Sequence, residues 1–393
     1  MTNEEFITQN RDADVRTLAL SKTPSNIDLR YCLQQIAGRQ TAQKKLPSWA
    51  KTEGIIYPVK LSLEQCSSEQ TALYKQQIVK RLLPNGGEKM VDLTGGLGVD
   101  FSFLAKLFAE ADYVERDEHL CEIARNNFEH LGLKKANIHC KACEEFIDGM
   151  GDFDLIYIDP SRRDSVGRKV VALSDCSPDI QAIQDTLLSH APLVLVKLSP
   201  MIDIQDTLRR LSNVNEVHVV SVGGECKEVL LLLCREKSCQ EINYFCSNIT
   251  TKTQTFQTNC RDTKAVIASV PERYLYEPNA SILKAGVQDA LCQNYTVRKL
   301  HPFSHLFTSS LFIEDFPGRT FVIENYCSFA KKELKALLSD IKQCNLTVRN
   351  FPATVAELRK RLKLAEGGDC YLFATTISDG SHVLLRCRQS LSE

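Results

Sequence analysis

The sequence predicts an α/β protein: a mostly parallel sheet covered by helices on both faces, with an antiparallel last strand and a smaller C-terminal α+β region. Three observations predict it. Between residues 89 and 198, short apolar strand-sized runs alternate with amphipathic helical patterns, the mark of a parallel sheet buried on both sides. The runs at 214–222 and 228–234 are joined through Gly223-Gly224 with no room for a crossover helix, so they pair antiparallel. From Ser281 the order becomes helix, strand, strand, helix, strand, helix, strand, strand, which reads as a separate module.

In chain order, residues 1–60 read as a polar helical extension. Leu29, Leu33 and Ile36 share one helical face, and Gly38 is the expected stop. This segment is expected to pack on the main domain rather than to cap a cleft. Residues 61–236 form the main domain. It opens with a helix over 67–83, capped by Ser67 or Ser68, with Leu73, Ile78, Leu82 and Leu83 on its apolar side. Strands follow at 89–93, 112–115, 137–140, 153–158 and 192–198, and helices at 99–109, 119–131, 143–150 and 179–189. Residues 237–280 read as a β-rich connection with segments at 241–246 and 251–258. Residues 281–323 form a small module and 324–393 a final domain, with helices at 281–291, 330–341 and 354–364. Strands there are expected at 310–314, 320–324, 346–349, 371–377 and 383–387, with turns at Gly367-Gly368 and Asp379-Gly380.

Bulk properties narrow the classes. The chain has 393 residues, 43% of them apolar and 25% charged, as in ordinary globular proteins with cores of their own. The net charge of -1 neither requires nor forbids a nucleic-acid partner. The N-terminus lacks the apolar stretch of an export signal, and no apolar run approaches the roughly 18 residues of a membrane span. The cytoplasm is the expected compartment, and the 16 cysteines are expected to be reduced. Cys140-Lys-Ala-Cys143 beside His139 has ligand-like spacing, but a tetrahedral zinc site needs a second such pair and none exists, so no metal is expected.

Three motifs carry chemistry. In Val91-Asp-Leu-Thr-Gly-Gly-Leu-Gly-Val-Asp100 a strand runs into closely spaced glycines and then a helix, where the backbone turns sharply and can approach a ligand. Asp92, Thr94, Gly95, Gly96 and Gly98 are the candidates. The G-x-G-x-x-G spacing of dinucleotide sites is missing, and an acid at the strand end suits a cationic amino-acid ligand better than a pyrophosphate. Glu115, with Arg116 beside it, ends the next strand, where a carboxylate can accept from ribose hydroxyls; Asp117 competes for that role and also suits a helix start. Asp159-Pro160-Ser161-Arg162-Arg163 follows an apolar strand and belongs at the sheet's carboxyl edge, where such sheets bind ligands. Arg162 and Arg163 either grip a phosphate or carboxylate or lie in a solvated loop with Arg162 on Asp164. Lys197 ends a further strand at the same edge.

Together and in this order the motifs resemble class I S-adenosylmethionine-dependent methyltransferases over about residues 67–235. The resemblance implies a Rossmann-like sheet whose final strand is antiparallel. It also implies S-adenosyl-L-methionine on the glycine loop, its ribose on Glu115, and Asp159-Pro160 near the transferred methyl. Two departures stand out. The adenine-contacting acid has no direct match, so Ala142, Cys143 or Glu144 would substitute. Ser161 and Arg162 stand where exocyclic-amine enzymes place a proline and a stacking aromatic, so base N-methylation by that arrangement is not expected.

The whole layout is similar to a bacterial group with a small ferredoxin-like module and a THUMP-like C-terminal domain. It is carried by Asp159-Pro-Ser-Arg-Arg163, Lys197-Leu-Ser-Pro200, Tyr276-Glu-Pro-Asn-Ala-Ser281, and Leu358-Arg-Lys-Arg-Leu-Lys-Leu364 with Gly367-Gly368 and Tyr371-Leu-Phe-Ala-Thr375. By analogy this implies an RNA substrate. Residues 281–393 carry 15 Lys/Arg against 11 Asp/Glu, a net of +4, and Arg359 and Lys360 lead a basic cluster suited either to phosphate or to a solvated face. Lys299, His301, Phe303, His305 and Phe307 either stack on bases or serve the core. Competing readings are a non-catalytic RNA-binding or assembly factor with this fold, and a methyltransferase acting on protein or small molecules. The oligomeric state is not legible.

Overall fold

The computed structural model describes residues 1–22, 24–162, 173, 176–236, 241–259 and 263–390. The chain divides into two compact units, Met1–Asn215 with Leu230–Ser238, and Glu216–Val229 with Cys239–Glu393.

The first unit is built on parallel strands. β1 (Gly87–Asp92) pairs with β2 (Phe108–Glu115) on one side and β4 (Leu155–Ile158) on the other. β3 (Ala136–Cys140) lies outside β2, and strand Leu193–Leu198 outside β4. Strand Glu225–Cys234 comes next in the order. The Arg235 amide donates to Pro192 O, at the start of its neighbour, so this last strand runs antiparallel as expected. β4 is buried along its whole length, which explains why it reads as a continuous apolar run.

Local chemistry sets several element ends differently from the sequence pattern. Helix Leu29–Lys45 runs through Gly38. A Cβ there would stand 2.4 Å from Tyr57 Cβ, so Gly38 admits a neighbour rather than stopping the helix. Ser68 caps helix Glu69–Leu82, which frees Ser67 for another partner. That helix buries Lys75 and leaves Leu73 exposed, against the expected apolar side. The helix after the glycine turn is only Val99–Leu104; β2 begins by Phe108, where a helix over 99–109 was expected. Helix Ile204–Arg210 was not anticipated. The N-terminal segment packs as predicted: Trp49 and Tyr57 join one core cluster with Leu97, Val99 and Phe103, and Trp49 Nε1 donates to Ser102 Oγ at 3.3 Å.

In the second unit, strand Asn243–Ile249 pairs parallel with Val214–Val222 and antiparallel with Gln254–Thr258. A separate seven-stranded sheet follows the order Arg298–Lys299, Phe307–Ser309, Tyr274–Pro278, Gly318–Ser328, His382–Gln389, Ala365–Thr376, Gln343–Arg349. Tyr274–Pro278 was missed because Glu277 and Pro278 disguise a buried strand. Residues 310–314 are not a strand; Leu311 and Phe312 are exposed, and pairing ends at Ser309. Gly286, at φ +73, ends the helix expected to reach residue 291. Gly367-Gly368 sits within strand Ala365–Thr376, where the register to Gln343–Arg349 slips, so it forms a bulge rather than a turn between elements.

Candidate active site

The site grows from the end of β1. Asp92 is 1% exposed, and its Oδ1 accepts the Thr94 amide at 2.9 Å, bending the chain out of the strand. Thr94 Oγ1 then accepts the Asp159 amide at 2.6 Å, which ties the tips of β1 and β4 together. The Gly95 amide donates to Val114 O at 2.8 Å, drawing the loop over β2. A Cβ on Gly95 would lie 2.1 Å from the Tyr113 ring; on Gly98, at φ +78, it would lie 2.6 Å from the Phe128 ring. Gly96 differs. At φ +56 it is strained for any other residue, yet a Cβ there would meet only Thr94 O, at 3.8 Å, so the loop's outer side is open to an approaching ligand.

Glu115 closes the cradle. Its Oε2 accepts the Gly96 amide at 2.8 Å and its Oε1 accepts the Asp117 amide at 2.9 Å. A carboxylate has about four acceptor positions, so capacity remains for two hydroxyls of a diol. Tyr113 Oη donates to Gly96 O from beneath. Asp117, the rival carboxylate, caps helix Glu118–His130 instead. Arg116 is exposed, and Ala142 and Cys143 open a short helix beyond β3. Burial, then Glu144 and Asp92, push the Cys143 thiol up to about 12, so it is uncharged.

At the neighbouring tips lies a cluster of charges of which the sequence revealed only Asp159 and Lys197. Lys197 donates to Asp159 Oδ2 and stands 3.6 Å from Asp100 Oδ2. Asp100 also accepts from Ser67 Oγ at 2.6 Å and Tyr157 Oη at 2.7 Å, and pairs with the fully buried Lys75 at 3.2 Å. Burial opposes its ionisation, but Lys75 and Lys197 outweigh it and hold Asp100 below the ordinary carboxylate range. Asp92 goes the other way: burial lifts its carboxyl well above the usual range. A lysine in mid-helix gives no signal of burial, so Lys75 was not anticipated; Asp159 and Lys197 were singled out from the sequence, and Asp100 stood inside the glycine motif without an assigned role.

The structure therefore brings together Asp92, Thr94, Gly95, Gly96, Gly98, Glu115, Asp159 and Lys197, with buried Pro160 behind. Arg162 falls in a two-residue pairing with Cys176–Ser177 and its side chain is not described; Arg163 lies outside the described residues. Arg359 and Lys360 belong to the second unit. There Arg359 faces Cys344 O at 3.4 Å and Glu366 at 4.0 Å, while Lys360 is exposed. Among the described residues no group of His, Cys, Asp and Glu could hold a metal, and no helix is long and apolar enough to cross a membrane.

The family follows from comparison with known proteins. A THUMP domain-like model matches residues 318–389, and a ferredoxin-like domain model matches 274–317. The crystal structure of a protein assigned as a methyltransferase from Porphyromonas gingivalis W83 matches with a TM-score of 0.88 and 33% identity, over 99% of this chain and 98% of that one. The chain belongs to this family of class I methyltransferases with a THUMP-like C-terminal domain. Members of other groups match this methyltransferase-family chain only over part of its length. One is assigned as an RNA methyltransferase, from Pyrococcus horikoshii (15% identity, TM-score 0.35, 49% of this chain and 98% of that one). Another is an rRNA methylase from Streptococcus thermophilus (11%, 0.33, 42% and 97%). No curated protein matches the chain.

Proposed function

We propose that this chain transfers a methyl group from S-adenosylmethionine to RNA. The observation that carries the first half is Glu115: its carboxylate spans the Gly96 and Asp117 amides with acceptor capacity left over, beside a loop whose outer side is open. Asp92, Thr94, Gly95, Gly96 and Gly98 would hold the donor, with Glu115 on the ribose and Arg116, Ala142 and Cys143 along the nucleoside. The bound donor supplies a methyl already activated on a sulfonium.

What remains for the protein is alignment and exclusion of water. Thr94 fixes the Asp159 backbone, and Lys197 fixes the Asp159 side chain. Asp159 then accepts from an N–H or O–H of the incoming substrate and orients the attacking lone pair, with Pro160 stiffening the turn. Arg162 and Arg163 would neutralise backbone phosphate, and in the second unit Arg359 and Lys360 would offer phosphate contacts of their own. RNA is favoured by the THUMP-like match and by the +4 net charge of residues 281–393.

Titration calorimetry tests the donor half: S-adenosylmethionine binds and S-adenosylhomocysteine competes. Absence of heat and of competition rejects it. Incubation of undermodified cellular RNA with labelled donor tests the other half. Label appearing in protein or metabolites but never in RNA overturns the substrate class.

A further inference from the structure

The basic-aromatic stretch at residues 299–307 does not behave as one unit. Phe307 is fully buried, and Lys299 is 2% exposed and bound to Asp289 at 2.6 Å, whereas Phe303 is 77% exposed. An exposed phenyl is usually mobile, but this one sits on a pinned loop. Ser304 is fully buried and shares a hydrogen bond with Thr375 Oγ1 at 3.2 Å, while Leu300 and Leu306 on either side are core residues. His301 Nδ1 accepts the Phe303 amide at 3.1 Å and the Asn350 side-chain amide at 3.0 Å. Two donors on one ring nitrogen put the imidazole proton on Nε2, facing away from them.

Asn350 leads to a second feature. Its chain neighbour Arg349 and the cross-strand Arg319 both grip Glu277, whose side chain is only 6% exposed. Arg349 Nε donates to Glu277 Oε1 at 2.9 Å, and its Nη1 donates to Val348 O at 2.9 Å; Arg319 Nε donates to Oε2 at 2.9 Å. One carboxylate cannot neutralise two guanidiniums, and each guanidinium, with about five N–H donors, keeps some to spare. Both arginines are roughly half-exposed. The His305 imidazole is lowered by partial burial and then by Lys299 and Arg349, with Asp289 opposing them.

We propose that Arg319, Arg349, Asn350, His301 and Phe303 form a binding subsite for one nucleotide of single-stranded RNA. The arginines take a phosphate, and Phe303 takes the face of an unpaired base. The pairing of a pre-oriented arginine clamp with a rigid exposed ring matches how single strands are held, with stacking for the base and cations for the backbone. Glu277 acts as a positioning residue, turning the clamp outward. The assignment rests on RNA being the substrate class.

The test is fluorescence anisotropy with the full chain and a labelled single-stranded RNA 12-mer of mixed sequence, read at several salt concentrations. Phe303→Ala is expected to weaken binding about tenfold with the salt dependence unchanged, and Phe303→Trp to restore it. Arg349→Gln is expected to weaken binding and to lower the salt slope by about one. Because Phe303 is exposed, its alanine variant keeps the wild-type melting temperature even where Arg349→Gln does not. Wild-type RNA binding with both variants unaffected overturns the subsite and leaves the RNA reading standing; a polypeptide partner for this surface would give that result. Failure of the wild-type chain to bind any RNA overturns both.

Discussion

Each unit places one buried carboxylate between two cations, and the outcomes differ. Around Asp100, Lys75 is fully buried and Lys197 only 13% exposed, and Ser67 and Tyr157 complete the shell. Around Glu277, Arg319 and Arg349 are 49% and 39% exposed. The first arrangement is closed: every charge is spent internally, and it holds Lys197 against Asp159 at the sheet edge. The second leaves cationic donors facing outward. Burial of the cations, not the choice of charges, decides whether such a cluster sets a geometry or receives a ligand.

The sharpest way to break this contrast is to remove one cation from each cluster. Lys75→Ala leaves Asp100 short of a buried partner and should cost about 3–5 kcal/mol in urea unfolding. Arg349→Gln, with Arg319 still in place and the site solvated, should cost about 1 kcal/mol or less. Equal losses would mean that the two clusters do the same job.

The glycine loop allows a graded test of smaller size. Gly95→Ala and Gly98→Ala drive a methyl into the Tyr113 and Phe128 rings and should lower stability by about 1–3 kcal/mol each. Gly96→Ala meets no such obstacle; it should cost about 1 kcal/mol through its positive φ while weakening the methyl donor in calorimetry. A Gly96→Ala chain with unchanged donor affinity would show that this face of the loop is not the cradle.

Next in size is Glu115→Gln, which keeps the shape but weakens acceptance from the diol. Donor affinity should fall about tenfold, corresponding to about 1.4 kcal/mol. Far-ultraviolet circular dichroism should be unchanged.

The smallest effect separates two buried acids by pH. Burial raises the Asp92 carboxyl in the fold, so the folded chain binds that proton more tightly than the unfolded chain does. Stability from Asp92 is therefore full below its ordinary value of 3.8 and declines as pH rises toward the raised one. Asp100 has the opposite sign, its contribution being lost as pH falls through its lowered value. Asp92→Asn should flatten the decline on the high-pH side and leave the acid limb in place. A stability curve with an unaltered high-pH slope would refute the raised Asp92 carboxyl.

The sheet was legible because β4 and residues 193–196 are apolar, Met90 and Val91 make the inner part of β1 apolar, and amphipathic helices separate these strands. The glycine loop was legible because Gly95 and Gly98 have no alternative under the Tyr113 and Phe128 rings. Glu115 was found from its place at a strand end, and Lys197 from its place at the edge. Lys75, Ser67 and Tyr157 were not found. Their roles come from contacts across the fold, and locally they look like a solvated helix residue, a cap and a strand aromatic. Gly38 and Gly367 misled for a related reason: glycine marks a stop, a close approach and a bulge with the same letter. The Glu277 clamp was invisible because its members come from three strands brought together only in the finished sheet.

The closed shell around Asp100 also bears on how this sequence can change over time. Replacing that aspartate alone removes the carboxylate 3.2 Å from the buried Lys75 ammonium, and replacing Lys75 alone leaves the carboxylate with one cation fewer, so each single step passes through a weakened intermediate. The two positions are bound to drift as a pair, and a helix that precedes the sheet in the chain inherits its fate from a residue beyond the glycine turn.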